Sequence, residues 1–212
     1  MKLTPIFRNY EILVDKAESA FQKTKAEYGE SVRCELHCSD CCHAVFGLFL
    51  IEAAYIREHF EPIDEEPKRQ ALLRGESADK ALKKLEGKLK TFENDPHMQT
   101  YTLARERIRC PLLDEQNECI LYHRRPITCR VYGIPTSIQG KVRVCGKTGF
   151  KDKGTYPVFD LDGIYRDLYL LSQEIVIEAG THDSERASLL ISMSKTIRTP
   201  LDELFHEDLK KK

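Results

Sequence analysis

Eight cysteines occupy two short stretches of this 212-residue chain. Cys34, Cys38, Cys41 and Cys42 lie within nine residues; Cys110, Cys119, Cys129 and Cys145 lie within thirty-six; none occurs elsewhere. Thiolates are soft ligands that suit zinc, iron and iron–sulfur clusters. In a reducing compartment, clustered thiols hold metal or do redox chemistry more often than they form disulfides. All eight are therefore candidate metal ligands.

The first set reads Cys34-x3-Cys38-x2-Cys41-Cys42. On a helix the four would share one face but span about 12 Å of axis. One tetrahedral ion with Zn–S bonds near 2.3 Å holds its sulfurs only about 4 Å apart. Either this segment winds as a loop around the metal, or its thiols serve more than one centre. Neighbouring side chains diverge on both helix and strand, which makes Cys41 and Cys42 awkward partners on a single ion. That leaves three arrangements open: one of the pair faces a second ion, bridges a cluster, or stays a free thiol. Eight sulfurs suffice for two four-coordinate sites, or for one cluster with thiols to spare.

Arg124, Arg125 and Arg130 fall among Cys119, Cys129 and Tyr132. A centre with several thiolates is anionic, so Arg125, Arg130 and Tyr132 are candidates to offset its charge or to hold an anionic cofactor. A salt-bridged structural arginine is the alternative for each. His37, His43 and His123 are close enough in sequence to replace a thiolate, although a surface histidine satisfies the same pattern.

The elements that must position these groups are mostly helical. Phe7, Tyr10, Val14, Ala17, Phe21 and Tyr28 recur at helical spacing from residue 5 to about 30, before Gly29. A second stripe, Ala53, Ile56 and Phe60, follows the first cysteines and stops at Pro62. Residues 62–107 are charged and helix-prone, which predicts an inserted, solvated arm. Around the Asp-Glu-Gln-Asn-Glu turn, residues 108–122 predict a β-hairpin carrying Cys110 and Cys119. Another short segment starts at Pro126 and ends at Gly133, and Val142 to Cys145 reads as a short strand. C-terminal helices are expected over about 160–207, with Ile164, Leu168, Leu171 and Ile175 on one face, before a frayed basic end at 208–212. The expectation is one domain over 1–212, mainly α with a small β-hairpin (an α+β fold), compact, and built around a cysteine-rich core at about 31–145.

Several function classes are disfavoured. Lysine plus arginine number 33 against 34 for aspartate plus glutamate, so no net field draws the chain to nucleic acid or an anionic membrane. The longest apolar run, Ala44 to Ile51, has eight residues, against roughly 20 for a spanning helix. With charges at positions 8, 11, 15 and 16 the N-terminus does not read as a signal peptide, and a cytoplasmic location is expected. There is no P-loop and no dinucleotide-binding glycine motif.

The two blocks, Cys34-x3-Cys38-x2-Cys41-Cys42 and then Cys110-Pro-Leu-Leu-Asp with Cys119-Ile-Leu-Tyr-x-Arg-Arg-Pro-Ile-Thr-Cys129-Arg-Val-Tyr132, resemble the YkgJ family of cysteine-cluster proteins, also described as zinc- or iron-chelating domains. The resemblance covers roughly residues 31 to 145. It departs at the first spacing, where the family motif has two residues and this chain three. It implies a metal-binding protein holding zinc or iron, an iron–sulfur cluster included, with no assigned physiological role. Flagellin lysine N-methylases carry a similar module, which implies as an alternative an iron–sulfur and S-adenosylmethionine-dependent protein lysine N-methyltransferase. The spacing Cys34-x3-Cys38-x2-Cys41 equals that of radical S-adenosylmethionine enzymes. Against that reading, Asp40 stands where those enzymes have an aromatic residue, and no βα repeats are present to build their barrel. Whether the chain is an enzyme, and which protein partner or substrate it meets, is open at this point.

Overall fold

The computed structural model describes residues 2–35, 37–151, 154–181 and 183–206. It is 58% helical with one small three-stranded sheet, as the periodicities imply. α1 (Leu3–Glu27) turns Tyr10, Ala17 and Phe21 inward, and α6 (Leu161–Glu178) buries Ile164, Leu168, Leu171 and Ile175 against it. Between them runs α2 (Leu50–Phe60), which starts eight residues after Cys42 and is apolar nearly all round. Such a helix is stable only when neighbours cover every face; α2 is wrapped by α1, α6 and three short C-terminal helices, α7 (Ser184–Ser188), α8 (Met193–Arg198) and α9 (Leu201–His206). Within the C-terminal helices expected over about 160–207, α7 and α8 are separated where Ile191 pairs with Leu48 through two backbone bonds of 2.8 Å. The basic end at 208–212 lies outside the described residues.

The charged stretch forms α3 (Glu65–Lys90) and α4 (Pro96–Arg105). Contrary to the expectation of a solvated arm, α3 lies along α8 and buries Ala71, Gly75, Ala78 and Leu85. Small residues at helical spacing make this narrow seam, which a hydrophobicity pattern under-reports. Ser194 donates to Asp79 at 2.6 Å, and Arg198 pairs with the same carboxylate. Arg74 donates from Nε to the Pro111 carbonyl at 2.9 Å, tying α3 to the second cysteine block.

The hairpin also moves. Residues 108–122 carry only an isolated Leu113–Cys119 bridge; Pro111, lacking an N–H, cannot extend a ladder there. The paired strands are β1 (Thr136–Ile138) and β2 (Lys141–Arg143), antiparallel, with β3 (Phe159–Asp160) parallel to β1 on its other side. Gln139 and Gly140 form the turn with φ of 52° and 69°, the left-handed geometry that two-residue hairpin turns require. α5 (Ile127–Val131) follows Pro126, as the Pro126 and Gly133 punctuation implied, and packs on α1. No helix among the described residues is long and apolar enough to cross a membrane.

Candidate metal centre

Backbone pairing closes the two cysteine blocks on each other. Cys41, Cys42 and His43 form one turn of 3-10 helix, after which the chain extends. Cys110 N–H donates to the Cys42 carbonyl at 2.7 Å, Ile108 N–H to His43 at 3.0 Å, and Ala44 bridges Arg107. Across its single bridge, with Ile120 N–H on the Leu112 carbonyl at 2.9 Å, the 113–119 loop returns Cys119 beside Cys110. Asp114 Oδ1 caps that loop by accepting from Gln116 and Glu118 N–H. Cys129 arrives on α5, whose first amide, Ile127 N–H, donates to the buried Glu52 carboxyl at 3.0 Å.

Five sulfur-bearing residues, Cys41, Cys42, Cys110, Cys119 and Cys129, line one cavity of about 70 Å³. The expected divergence of Cys41 and Cys42 is absent: on the 3-10 turn their thiols swing back to an Sγ–Sγ distance of 4.0 Å, close to the edge of a tetrahedral thiolate site. Among the described residues, no three of the Cys, His, Asp and Glu side chains are placed as they stand to hold one ion. The donor set still fits a soft metal: five thiols from three segments line one predominantly apolar cavity.

The other three cysteines form a neighbouring group. Cys34 hydrogen-bonds Cys38, and Cys145 donates to Asp40 Oδ2 at 3.0 Å. Asp40 also receives Arg107 at 2.6 Å and has Lys147 at 3.7 Å, so it clamps the 145–147 loop onto the first cysteine segment. Gly133 makes room for Cys34: a Cβ there would overlap its Sγ. Nothing in the sequence beyond position marked Asp40, Glu52 or Arg107 for these roles. Their partners lie 67 to 105 residues away, so local pattern carries no signal of them.

The thiols titrate according to burial and to one another. Burial raises Cys110 to about 12, with the Cys119 charge adding, and raises Cys119 to about 11. Burial and the nearby sulfurs of Cys38, Cys41 and Cys145 take Cys34 to about 12; burial and its bond to Asp40 take Cys145 to about 11. Cys41 goes the other way, because Cys129 and Cys42 both donate to it and Arg125 is near; its two donors are pushed up. The three titrate as a unit around one thiolate. At Asp40 burial opposes ionisation, but Cys145, Arg107 and Lys147 together hold its carboxyl below the ordinary value.

Arg125 lines the five-thiol cavity, packs its guanidinium over Tyr122 at 4.0 Å and reaches Glu18 at 3.4 Å. Arg130 is buried and committed: Nε to the Arg125 carbonyl, one terminal nitrogen to Glu18 at 3.2 Å, the other to His123 O at 2.7 Å. It ties α5 to α1. Tyr132 lies outside the five-thiol cavity, hydrogen-bonded to Arg107 and near Asp40 and Cys145. Of the histidines, His43 binds Ser39 O at 2.9 Å, His37 meets Gln116 O at 3.2 Å at a left-handed φ of 65°, and His123 lies edge-on to Tyr122.

Residues 33–146, more than half of the chain, match the family model CxxCxxCC, described as "Putative zinc- or iron-chelating domain". The chain belongs to this family. The matched stretch begins one residue before Cys34 and ends one after Cys145, so the CxxCxxCC domain takes in all eight cysteines and the backbone pairing that joins them. Neither the curated proteins nor the solved structures gave a match. The comparisons therefore lend no support to the methyltransferase alternative.

Proposed function

We propose that this CxxCxxCC protein holds zinc or iron through Cys41, Cys42, Cys110, Cys119 and Cys129, and that the centre is an iron–sulfur cluster rather than one zinc ion. The carrying observation is the shared cavity: five thiols from three separate segments around about 70 Å³. A structural zinc site uses four closed ligands, one fewer than the thiols gathered here, whereas a cluster adds its own inorganic sulfide and occupies more space. When bound, such a group supplies one-electron redox capacity or an open iron as a Lewis acid.

The chain's own residues do the rest. Cys41 is held ready as a thiolate by two S–H donors and by Arg125. Arg125 offsets the negative charge that several thiolates accumulate. Leu48, Phe46 and Pro126 make the cavity wall apolar. Glu52 and Glu18 fix α5, and with it Cys129. Cys34, Cys38 and Cys145 form the adjoining group, coupled to the first through Cys41. We place the protein in the cytoplasm, because clustered thiols need a reducing compartment.

Serine substitution tests the ligand assignment. Cys129→Ser and Cys110→Ser are expected to lower retained metal at least about tenfold, measured by elemental analysis of anaerobically purified protein, while Cys145→Ser retains most of it. Full retention in Cys129→Ser with native circular dichroism refutes the assignment.

A further inference from the structure

A second and larger cavity, about 420 Å³, lies behind the first. Ala44, Val45 and Phe46 line both, so the extended stretch after the Cys41–Cys42 turn is the partition between them. Its volume falls within the range of small-molecule sites, roughly 300–1,000 Å³. No cysteine of the five-thiol set lines it; of the eight, Cys145 alone does. The walls are apolar and aromatic, from Phe46, Tyr132, Tyr165, Val131 and Leu161. A few polar groups converge on it: Thr128, whose hydroxyl is 3.4 Å from the Tyr165 hydroxyl, the buried Thr136, and two guanidiniums, Arg107 and Arg143.

The charges select the ligand. Glu106 is paired with Lys88 at 3.0 Å, and Arg107 is engaged by Asp40 and Tyr132. Arg143, on the exposed strand β2, makes no ion pair or side-chain hydrogen bond among the described residues. One uncommitted guanidinium fork at the edge of an aromatic-walled cavity matches one carboxylate, bidentately. It does not match a polyphosphate, which demands several cations. We propose that this cavity is a binding site for a small, flat organic monocarboxylate, its carboxylate on Arg143 and its body between Tyr132, Tyr165 and Phe46, one backbone thickness from the five-thiol cavity.

The proposal stands apart from the metal reading, because its readout is ligand contact and not metal. The test is an NMR titration of the full-length chain, as purified, with benzoate, and with benzamide as the uncharged isostere, following backbone amides and the Arg143 side-chain N–H. Benzoate is expected to saturate in the millimolar range, as suits a ligand of so few atoms, with shifts concentrated at 128–145 and 161–165. Benzamide is expected to bind at least about tenfold more weakly. Arg143→Gln should weaken benzoate by about the same factor, and Lys141→Gln, on the same strand but off the cavity, by less than about twofold. Val144→Trp, which fills the mouth from a half-exposed position, should abolish binding. Equal affinity for acid and amide, equal loss in the two charge variants, shifts centred elsewhere, or no saturation by about 30 mM would each overturn the proposal.

Discussion

At the scale of single residues, the side chains that organise the centre are not its cysteines. Glu52 is buried on α2, accepts from Ile127 N–H and Phe49 N–H, and burial lifts its carboxyl to about 7. A folded-state value above the unfolded one of about 4.3 means stabilisation fully present below pH 4.3 and lost as pH rises through 7. From this group alone, unfolding free energy should fall by about 3 kcal/mol between those limits. Glu52→Gln should flatten that pH dependence relative to wild type in chemical denaturation. Identical pH profiles would remove Glu52 from the account. Gly133 offers a second check. Because an added Cβ would overlap Cys34 Sγ, Gly133→Ala should cost about 1–3 kcal/mol and increase the alkylation rate of Cys34; unchanged stability and labelling would contradict the packing. The cysteines themselves were legible from type and spacing. Glu52, Asp40 and Arg107 were not, since residue type says nothing about a partner 67 to 105 positions away.

Among the elements, periodicity located the long helices well, because α1 and α6 are amphipathic with large apolar residues facing the core. It failed where small residues make the contact. Ala71, Gly75 and Ala78 seat α3 against α8, yet on a charged helix they read as surface. The hairpin was misplaced for a related reason: the 108–122 segment has the stronger apolar–turn–apolar pattern, whereas β1 and β2 are three residues each and largely polar. Two glycines separate these local demands. At Gly140, φ is +69°, so Gly140→Ala should destabilise by about 1–2 kcal/mol. Gly87 is helical on α3 with open space around its Cα, so Gly87→Ala should stabilise by about 0.5–1 kcal/mol. Thermal melts of both variants check the signs; the same sign in both would contradict the assigned backbone.

For the molecule as a whole, the sequence showed that eight sulfurs should meet but not how they divide. Division depends on the pairing of residues 42–44 with 107–110, a long-range contact that puts five sulfurs around one cavity and leaves Cys34, Cys38 and Cys145 beside Asp40. Because the pairing joins segments more than sixty residues apart, metal held there should stabilise the entire fold. Chelation should then lower the melting temperature and speed hydrogen exchange at Cys110 and Ile108 N–H together, and protection that survives chelation would separate the fold from the centre. The most direct measurement is the composition of the wild-type protein purified without oxygen. A brown protein with broad absorption near about 400 nm, iron, and acid-labile sulfide in comparable amounts is the expected result. A colourless protein containing stoichiometric zinc and no sulfide would contradict the cluster centre.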